Sequence, residues 1–440
     1  MMSTGKDNNF STTVKQNEWK LKRAQTLVSY LGQQFLVGLE YTIIQATLLH
    51  YLTIDMQSTH PIAHYGMVSS GRFVTSMFVT IAVSTWFDKK RRLKLATMSL
   101  SVAVGLGYAL YMIPTSPYLA FVGCMLQGCN FAINALMNSE IIRVYEENEV
   151  QQMILLYMVA YGAGEIAGPV CVYFSQNVRF QVGPLQITQG NFPGLIMLVL
   201  TFAKIPLAYL FVHDVSLEQS LIIGDIQNGV KDGSEDVSQS AKPEKAMQRN
   251  IFQKLYIKVD EIYGRDGLLL ILQQFYSAFA ISAICRLPPI ILSGLGYGNT
   301  ATELCFVGIS LLTIIFSIII WKFKLSSIGV YFCGVISMVA TLLAWLLLLV
   351  LVNLKLVPWL CNLLLVIYVV LDVVLWVSDS TFFVPTIGKL CYGPKQSFVE
   401  GTRMGAQILV VELDLLPQDF CLTISIGYVL FCLGWFVFFC

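Results

Sequence analysis

Residues 95–113 read LATMSLSVAVGLGYALYMI, and after the turn PTSP at 114–117, residues 118–139 read YLAFVGCMLQGCNFAINALMNS. Neither stretch contains a charged side chain. Each is about as long as the ~20 mostly apolar residues that a helix needs to cross the hydrocarbon core of a bilayer. The two stretches therefore predict consecutive transmembrane helices joined by a tight turn.

The rest of the chain has the same apolar character. Of its 440 residues, 56% are hydrophobic and 12% are charged, against roughly 25% charged in an ordinary soluble domain. We therefore predict an all-α polytopic membrane protein with twelve transmembrane helices in two six-helix bundles. Besides the two stretches above, the predicted helices are 24–50, 64–86, 150–174, 193–213, 267–285, 301–320, 328–353, 357–378, 399–416 and 421–440.

The Lys and Arg residues give the orientation, because cytosolic loops of membrane proteins carry an excess of positive charge. With the N-terminus in the cytosol, 22 of these residues fall inside and only Arg179, Arg286 and Lys355 fall outside. Both termini are therefore expected in the cytosol. The predicted domains are a cytosolic tail at 1–23, a first bundle at 24–213, a disordered cytosolic linker at 214–265 and a second bundle at 266–440.

Several classes of function find no support in the sequence. The net charge of +1 gives no reason to expect a nucleic-acid partner. The eleven Cys form no CxxC motif or Cys/His cluster with metal-ligand spacing, so neither a metal nor another cofactor is expected. The Gly-x-x-x-x-Gly-Lys-[Ser/Thr] loop of ATP-driven proteins is missing, and no nucleophile–base pair predicts an enzyme. The expected partners are a small-molecule solute and the lipid bilayer, and we expect a monomer.

Ionisable residues inside the predicted helices indicate a candidate site for substrate binding or coupling. Glu40, Arg72 and Glu165 lie ~16, ~12 and ~14 Å below the outer ends of the first, second and fifth helices, at 1.5 Å per residue. Insertion of one such charge costs about 2.5–3.5 kcal/mol, so retained charges usually face a cavity or a partner. Lys204 in the sixth helix can instead extend its ammonium toward the membrane surface.

Two interpretations of the three charges stay open. In the functional one, Arg72 attracts an anionic group while Glu40 or Glu165 balances charge or carries a proton. Protonation of Glu165 would then be coupled to Arg72, because a nearby cation stabilises a carboxylate and burial destabilises it. In the structural one, a Glu–Arg pair only lets the bundle bury its own charges.

The loop between the second and third helices carries a partial family signature. It reads Ser84-Thr-Trp-Phe-Asp88-Lys-Lys-Arg91-Arg92 and resembles Gly-x-x-x-Asp-Arg-x-Gly-Arg-Arg of the major facilitator superfamily. Asp88 and Arg92 match, whereas Ser84 and Arg91 replace the glycines. The resemblance implies two bundles that alternate access to a central cavity, with Asp88 and Arg92 locking helices in one state. Ordinary cytosolic positive charge is the other interpretation.

Two further sets of residues are candidates for conformational gating. Gly164-Glu-Ile-Ala-Gly168-Pro169 in the fifth helix is similar to the superfamily's Gly-x-x-x-Gly-Pro. Glycines four apart let a neighbouring helix approach closely, and the proline removes one backbone hydrogen bond. Tight packing without a hinge is the alternative. Asp379 and Arg403 in the second bundle could form a cytosolic gate, although solvated helix ends would explain both.

A narrower resemblance concerns residues 185–194, LQITQGNFPG, and residues 388–401, GKLCYGPKQSFVEG. Both are similar to the family of major facilitator domain-containing protein eight, the ceroid lipofuscinosis type-seven protein. The resemblance implies an endosomal or lysosomal membrane, with the plasma membrane as the alternative. The chain departs from the superfamily at Cys124, where an Arg often precedes a Gln-Gly pair, and the eleventh helix lacks the expected Gly-Pro.

The favoured function is a secondary-active transmembrane transporter of a small solute, for which Arg72 suggests an anionic group, working by alternating access. A channel-like anion conductance from the same fold is one alternative. A non-transporting membrane receptor or scaffold is the other.

Overall fold

The structure is a computed structural model that describes residues 4–175, 178–183, 185–221, 299–324 and 357–390, with scattered residues between 292 and 347. Helices account for most of these ranges. Their bounds are α1 (Thr4–His50), a π-helical turn (Tyr51–Asp55), α2 (Pro61–Lys90), α3 (Leu93–Tyr111), α4 (Pro117–Gln127), α5 (Cys129–Val144), α6 (Glu147–Ser175), α7 (Phe192–Phe211), α8 (Asn299–Phe323) and α9 (Pro358–Leu390). Strands β1 (Phe180–Val182) and β2 (Leu185–Ile187) form a hairpin between α6 and α7.

The protein is a multi-pass integral membrane protein. Within the described ranges, six helices are long and apolar enough to cross a bilayer, and a seventh is added if the bent pair 16–44 and 47–55 forms one span. Helices occupy all six segments predicted for the first bundle, with α4 and α5 as one span, 117–144. In the predicted second bundle, α8 contains the segment predicted at 301–320, and α9 begins one residue after the start of the segment predicted at 357–378. The predicted helices 267–285, 399–416 and 421–440, and most of 328–353, lie outside the described residues, so the count of twelve stays a prediction.

Helix α2 has a polar face that is turned into the bundle. Side chains three or four residues apart lie on one face of a helix, and such a row of polar residues on α2 is almost completely buried. Phe78, on another face, is 65% exposed. Polar residues inside and apolar residues outside suit a helix whose outer surroundings are lipid. The buried row consists of Ser69, Arg72, Ser76, Thr80 and Ser84.

Helix α6 packs closely against α1 because glycines remove side chains from the contact. A Cβ atom at Gly164 would collide with the carbonyl oxygen of Phe35, and one at Gly168 would collide with the Thr42 side chain. Gly38 on α1 makes the reciprocal approach to the backbone of α6 at Tyr161. Small residues at this spacing let two helix backbones pack at short range.

The other side of α6 contacts the second bundle. A Cβ atom at Gly162 would lie 3.0 Å from the Ile314 side chain of α8. The rings of Tyr161 on α6 and Trp376 on α9 pack edge to face, with centroids 5.2 Å apart. Helix α6 therefore lies between α1 of the first bundle and α8 and α9 of the second.

The segments predicted as the cytosolic tail and the start of the linker meet at one end of the first bundle. Helix α1 begins at Thr4, and residues 215–221 are also helical. Trp19 Nε1 donates to the carbonyl oxygen of Val215 (3.2 Å), and Lys22 pairs with Glu218 (3.0 Å). The first residues assigned to the linker are thus ordered against α1. Residues 222–265 of the predicted linker lie outside the described part of the chain.

Candidate solute-binding and coupling site

The centre of the site is an ion pair between α1 and α2. Arg72 Nη2 lies 3.5 Å from Glu40 Oε1, and both side chains are 3% exposed. The same guanidinium nitrogen donates to Gln127 Oε1 (3.3 Å) at the end of α4. Taking two charges out of water is costly, and good geometry with further hydrogen bonds must offset that cost. Gln127 and Asn130 supply two of those hydrogen bonds, whereas Glu40 Oε1 has only the guanidinium contact among the described residues.

Asn130 on α5 connects the carboxylate to two other helices. Its Nδ2 atom lies 2.6 Å from Glu40 Oε2 and 3.2 Å from the Tyr108 hydroxyl of α3. Its Oδ1 atom accepts a hydrogen bond from Gln33 Nε2 (3.3 Å). Gln33 and Glu40 are seven residues apart, which places them two turns apart on one face of α1. One amide side chain therefore joins both polar residues of that face.

The network ends at Lys204 on α7. Its Nζ atom donates to Gln33 Oε1 (2.7 Å), so this side chain points to α1 within the bundle. Polar contacts thus run from Lys204 through Gln33 and Asn130 to Glu40 and Arg72. Among the described residues, this is a continuous path of polar groups across helices of the first bundle, buried except at Lys204, which is half-buried.

Cys124, which stands where the superfamily often has an arginine, lies close to an arginine of another helix. Cys124 on α4 is buried, and it lies close enough to Arg72 for the two side chains to interact electrostatically. An arginine supplied by α2 therefore lies beside the position where the superfamily pattern would have one on its fourth helix. The local charge is kept although the residue that carries it belongs to another helix.

Glu165 lies at a different interface. Its Oε2 atom accepts a hydrogen bond from the Ser310 hydroxyl of α8 (3.0 Å), and the side chain is buried. Ser310 can also donate to the carbonyl oxygen of Phe306 in its own helix (2.8 Å). The structure thus brings Glu40 and Arg72 together and places Glu165 at the contact between α6 and α8, a helix of the predicted second bundle.

The backbone around Glu165 explains how α6 continues through Pro169. A proline has no N–H for the carbonyl four residues before it, which here is the carbonyl of Glu165. The Thr42 hydroxyl of α1 lies 3.2 Å from that oxygen. The same hydroxyl lies 3.2 Å from the Gly38 carbonyl oxygen of its own helix, so it replaces the bond that the proline removes when it is turned toward α6, at the same place where Gly168 lets α1 approach.

For the remaining gating candidates, the structure gives a position relative to a helix but no side-chain contact. Arg92 precedes α3 and is exposed, and Arg91 has a left-handed backbone (φ 51°) that ends α2. Asp88 lies in the last turn of α2 and Asp379 lies in α9, but their side chains lie outside what the structure describes. Arg403 falls outside the described ranges.

The sequence interpretation overlooked the uncharged members of the network. Gln33, Tyr108 and Asn130 carry no charge at neutral pH, and charge at bilayer depth is the signal by which the sequence indicates the site. A search for amide side chains at bilayer depth would have found Gln33 and Asn130, since an unpaired amide in hydrocarbon also costs several kcal/mol by the roughly 2–7 kcal/mol range for buried polar groups. Lys204 was noticed, but its bond to Gln33 depends on how α7 faces α1.

Comparisons with known proteins identify the fold. No protein-family model and no curated protein matches the chain. The solved structure of the human organic anion transporter MFSD10 (TETRAN) is similar, with a TM-score of 0.61 and 12% sequence identity over 93% of this chain and 94% of that chain. The proton:xylose symporter XylE bound to 6-bromo-6-deoxy-D-glucose is similar too, with a TM-score of 0.63 and 12% identity over 94% and 93%. The chain has the fold of major facilitator superfamily proteins.

Proposed function

We propose that the protein is a secondary-active transporter that moves a small anionic solute by alternating access between its two bundles. The observation that carries the proposal is the buried Arg72–Glu40 pair, held in a polar network within a major facilitator fold. Hydrocarbon-depth charges of this kind usually serve a substrate or ion pathway. The two proteins of similar structure are a transporter and a symporter by name. Their names support the interpretation that this protein is a carrier and not an enzyme.

The anionic preference is supported by the donors of Arg72. A guanidinium carries five N–H donors in a planar fork that matches carboxylates. Among the described residues, Glu40 and Gln127 both contact Nη2 of Arg72, and Cys124 lies close to the guanidinium. The other guanidinium nitrogens therefore retain N–H donors for a ligand. Glu40 balances the charge when no solute is bound, and an incoming anion competes with it for Arg72.

Alternating access requires contacts between the bundles that can break. The Glu165–Ser310 hydrogen bond joins α6 to α8 and therefore qualifies. In this proposal Glu165 is the coupling group, and it exchanges a proton when the α6–α8 contact opens. Gly164, Gly168 and Pro169 shape the α1–α6 contact that moves with it, and Asp88, Arg92, Asp379 and Arg403 act at the cytosolic ends.

We place the transporter, as a monomer, in endosomal or lysosomal membranes. Residues 185–194 and 388–401 support this assignment, because they resemble a protein family of endosomal and lysosomal membranes. Co-localisation of the tagged full-length protein with a lysosomal membrane marker tests this assignment. Labelling by a membrane-impermeant surface reagent in intact cells would contradict it.

Uptake by proteoliposomes that contain the full-length protein tests the function. We expect saturable uptake of a labelled organic anion that unlabelled anions inhibit and xylose does not. Arg72→Ala should abolish uptake, and Arg72→Lys should retain part of it because the charge remains. Uptake that does not saturate would support a channel, and wild-type uptake that Arg72→Ala leaves unchanged would overturn the proposed site.

A further inference from the structure

Lys204 is the residue of the network that the proposed function leaves without a role. It is the thirteenth residue of α7, which runs from Phe192 to Phe211. A lysine near the end of a helix can extend to the headgroups, but this one donates to Gln33 inside the bundle (2.7 Å). An ammonium has three donors, so the bond to Gln33 leaves two for another group.

The charges of the network are unequal among the described side chains. Lys204 and Arg72 are both cations, and Glu40 is the carboxylate whose charge acts on both of them. The other members, Gln33, Asn130 and Tyr108, are uncharged. Glu165 is bonded to Ser310 at the other interface. One positive charge is therefore left without a described counter-charge inside the bundle.

The two cations also differ in how they are held. Arg72 is fixed by Glu40, by Gln127 and by its position beside Cys124. Within the described ranges, Lys204 is held by one neutral amide oxygen. An anion that entered the network would meet less competition at Lys204, because no described carboxylate has to be displaced there. Gln33 and Glu40, which mark the two ends, are separated by ~10 Å along α1, at 1.5 Å per residue.

We propose that Lys204 contacts the anionic group of the solute directly and that the net positive charge of the network selects a solute with one negative charge, such as a monocarboxylate. This inference rests on the proposed transport of an anion and assigns the specificity-determining residue. At the Arg72 end of the network the same anionic group has to compete with Glu40. An uncharged amide of the same shape is disfavoured, because its carbonyl oxygen can accept a hydrogen bond from Lys204 but cannot neutralise the ammonium charge.

Matched carboxylate–amide pairs test the assignment on the purified full-length protein. The probes are lactate with lactamide, nicotinate with nicotinamide, and benzoate with benzamide, measured by ligand-dependent thermal stabilisation and by inhibition of uptake. We expect the wild type to favour carboxylates. Lys204→Met should weaken carboxylate binding by about ten- to hundredfold, the loss of one charge-assisted hydrogen bond, and should leave amide binding unchanged. Lys204→Arg, which keeps the positive charge, should retain the wild-type preference for carboxylates over amides.

A matched control removes a cation elsewhere. Lys94 lies over the Tyr209 ring at 4.1 Å, outside the network, so Lys94→Met should bind carboxylates like the wild type. Lys204→Gln serves as a second variant that removes the charge and keeps a donor, in case Lys204→Met does not give a monodisperse protein.

The outcomes separate this inference from the proposed function. If Lys204→Met and Lys204→Gln keep the wild-type preference for carboxylates while Arg72→Gln loses it, the role of Lys204 is overturned and anion transport stands. If the wild type shows no preference for carboxylates in any pair, both are overturned.

Discussion

Two buried glutamates of the first bundle have opposite surroundings. Glu40 faces a cation at 3.5 Å and accepts a hydrogen bond from Asn130 at 2.6 Å, all within one bundle. Glu165 accepts a hydrogen bond from the Ser310 hydroxyl at 3.0 Å, across the contact between bundles. A carboxylate with a charge partner in a rigid network suits binding. A carboxylate bonded to a hydroxyl across a contact that opens in the proposed transport cycle suits coupling.

The largest expected effect tests whether Glu40 and Arg72 act as a unit. Arg72→Ala leaves the Glu40 carboxylate buried without its cation, and breaking such a pair on one side costs about 3–5 kcal/mol. We expect the thermal unfolding midpoint of the purified protein to fall strongly. The double variant Arg72→Ala with Glu40→Ala should recover much of the loss. Equal losses in the single and double variants would mean that the two residues are independent.

The next effect concerns the α1–α6 contact that separates the two glutamates. A Cβ atom at Gly164 collides with the backbone of Phe35, so Gly164→Ala should destabilise the protein by about 1–3 kcal/mol, as overpacking does. Gly32, on α1, is the matched control because a Cβ atom there meets nothing within 4 Å. Gly32→Ala should be neutral or slightly stabilising. Similar unfolding midpoints for both variants would show that the close contact does not limit stability.

A smaller effect tests the hydrogen bond next to Glu165. Thr42→Val removes the hydroxyl beside the Glu165 carbonyl, and an unpaired buried acceptor should cost about 1–2 kcal/mol. Pro169→Ala supplies the missing backbone N–H, so Thr42→Val should cost less in that background. A double-mutant cycle of unfolding midpoints measures the coupling. Additive effects would rule out the interpretation that Thr42 replaces the bond removed by Pro169.

The smallest effect addresses the inter-bundle contact itself. Ser310→Ala removes the donor to Glu165, and one hydrogen bond contributes about 1 kcal/mol. If that bond forms in only one transport state, its loss shifts the equilibrium between states about fivefold. Accessibility of a cysteine introduced at the exposed Leu304 of α8 would report the shift. Thr313→Ala is the control, because its hydroxyl bonds to Ile309 within α8.

The apolar pattern placed helices in all six segments of the predicted first bundle, although α1 begins at Thr4, within the predicted tail, and α2 is not among the described helices that are apolar enough to cross a bilayer. Two charge-free stretches of bilayer length predict α3 and the α4–α5 span, since a backbone in lipid has to satisfy its own hydrogen bonds. It also identified Glu40, Arg72 and Glu165 as exceptional, because charges at that depth are costly. The glycine spacing in α6 predicted a close helix contact, although not that α1 is the partner.

Only the tertiary structure decided which of these residues meet. Sequence gives depth along a helix, but the rotation of each helix and the choice of its neighbours depend on packing between distant segments. That is why Arg72 and Glu40, from different helices, form a pair while Glu165, at a similar predicted depth, bonds to Ser310 of the second bundle. The same dependence brings Lys204 to Gln33, 171 positions away in the chain.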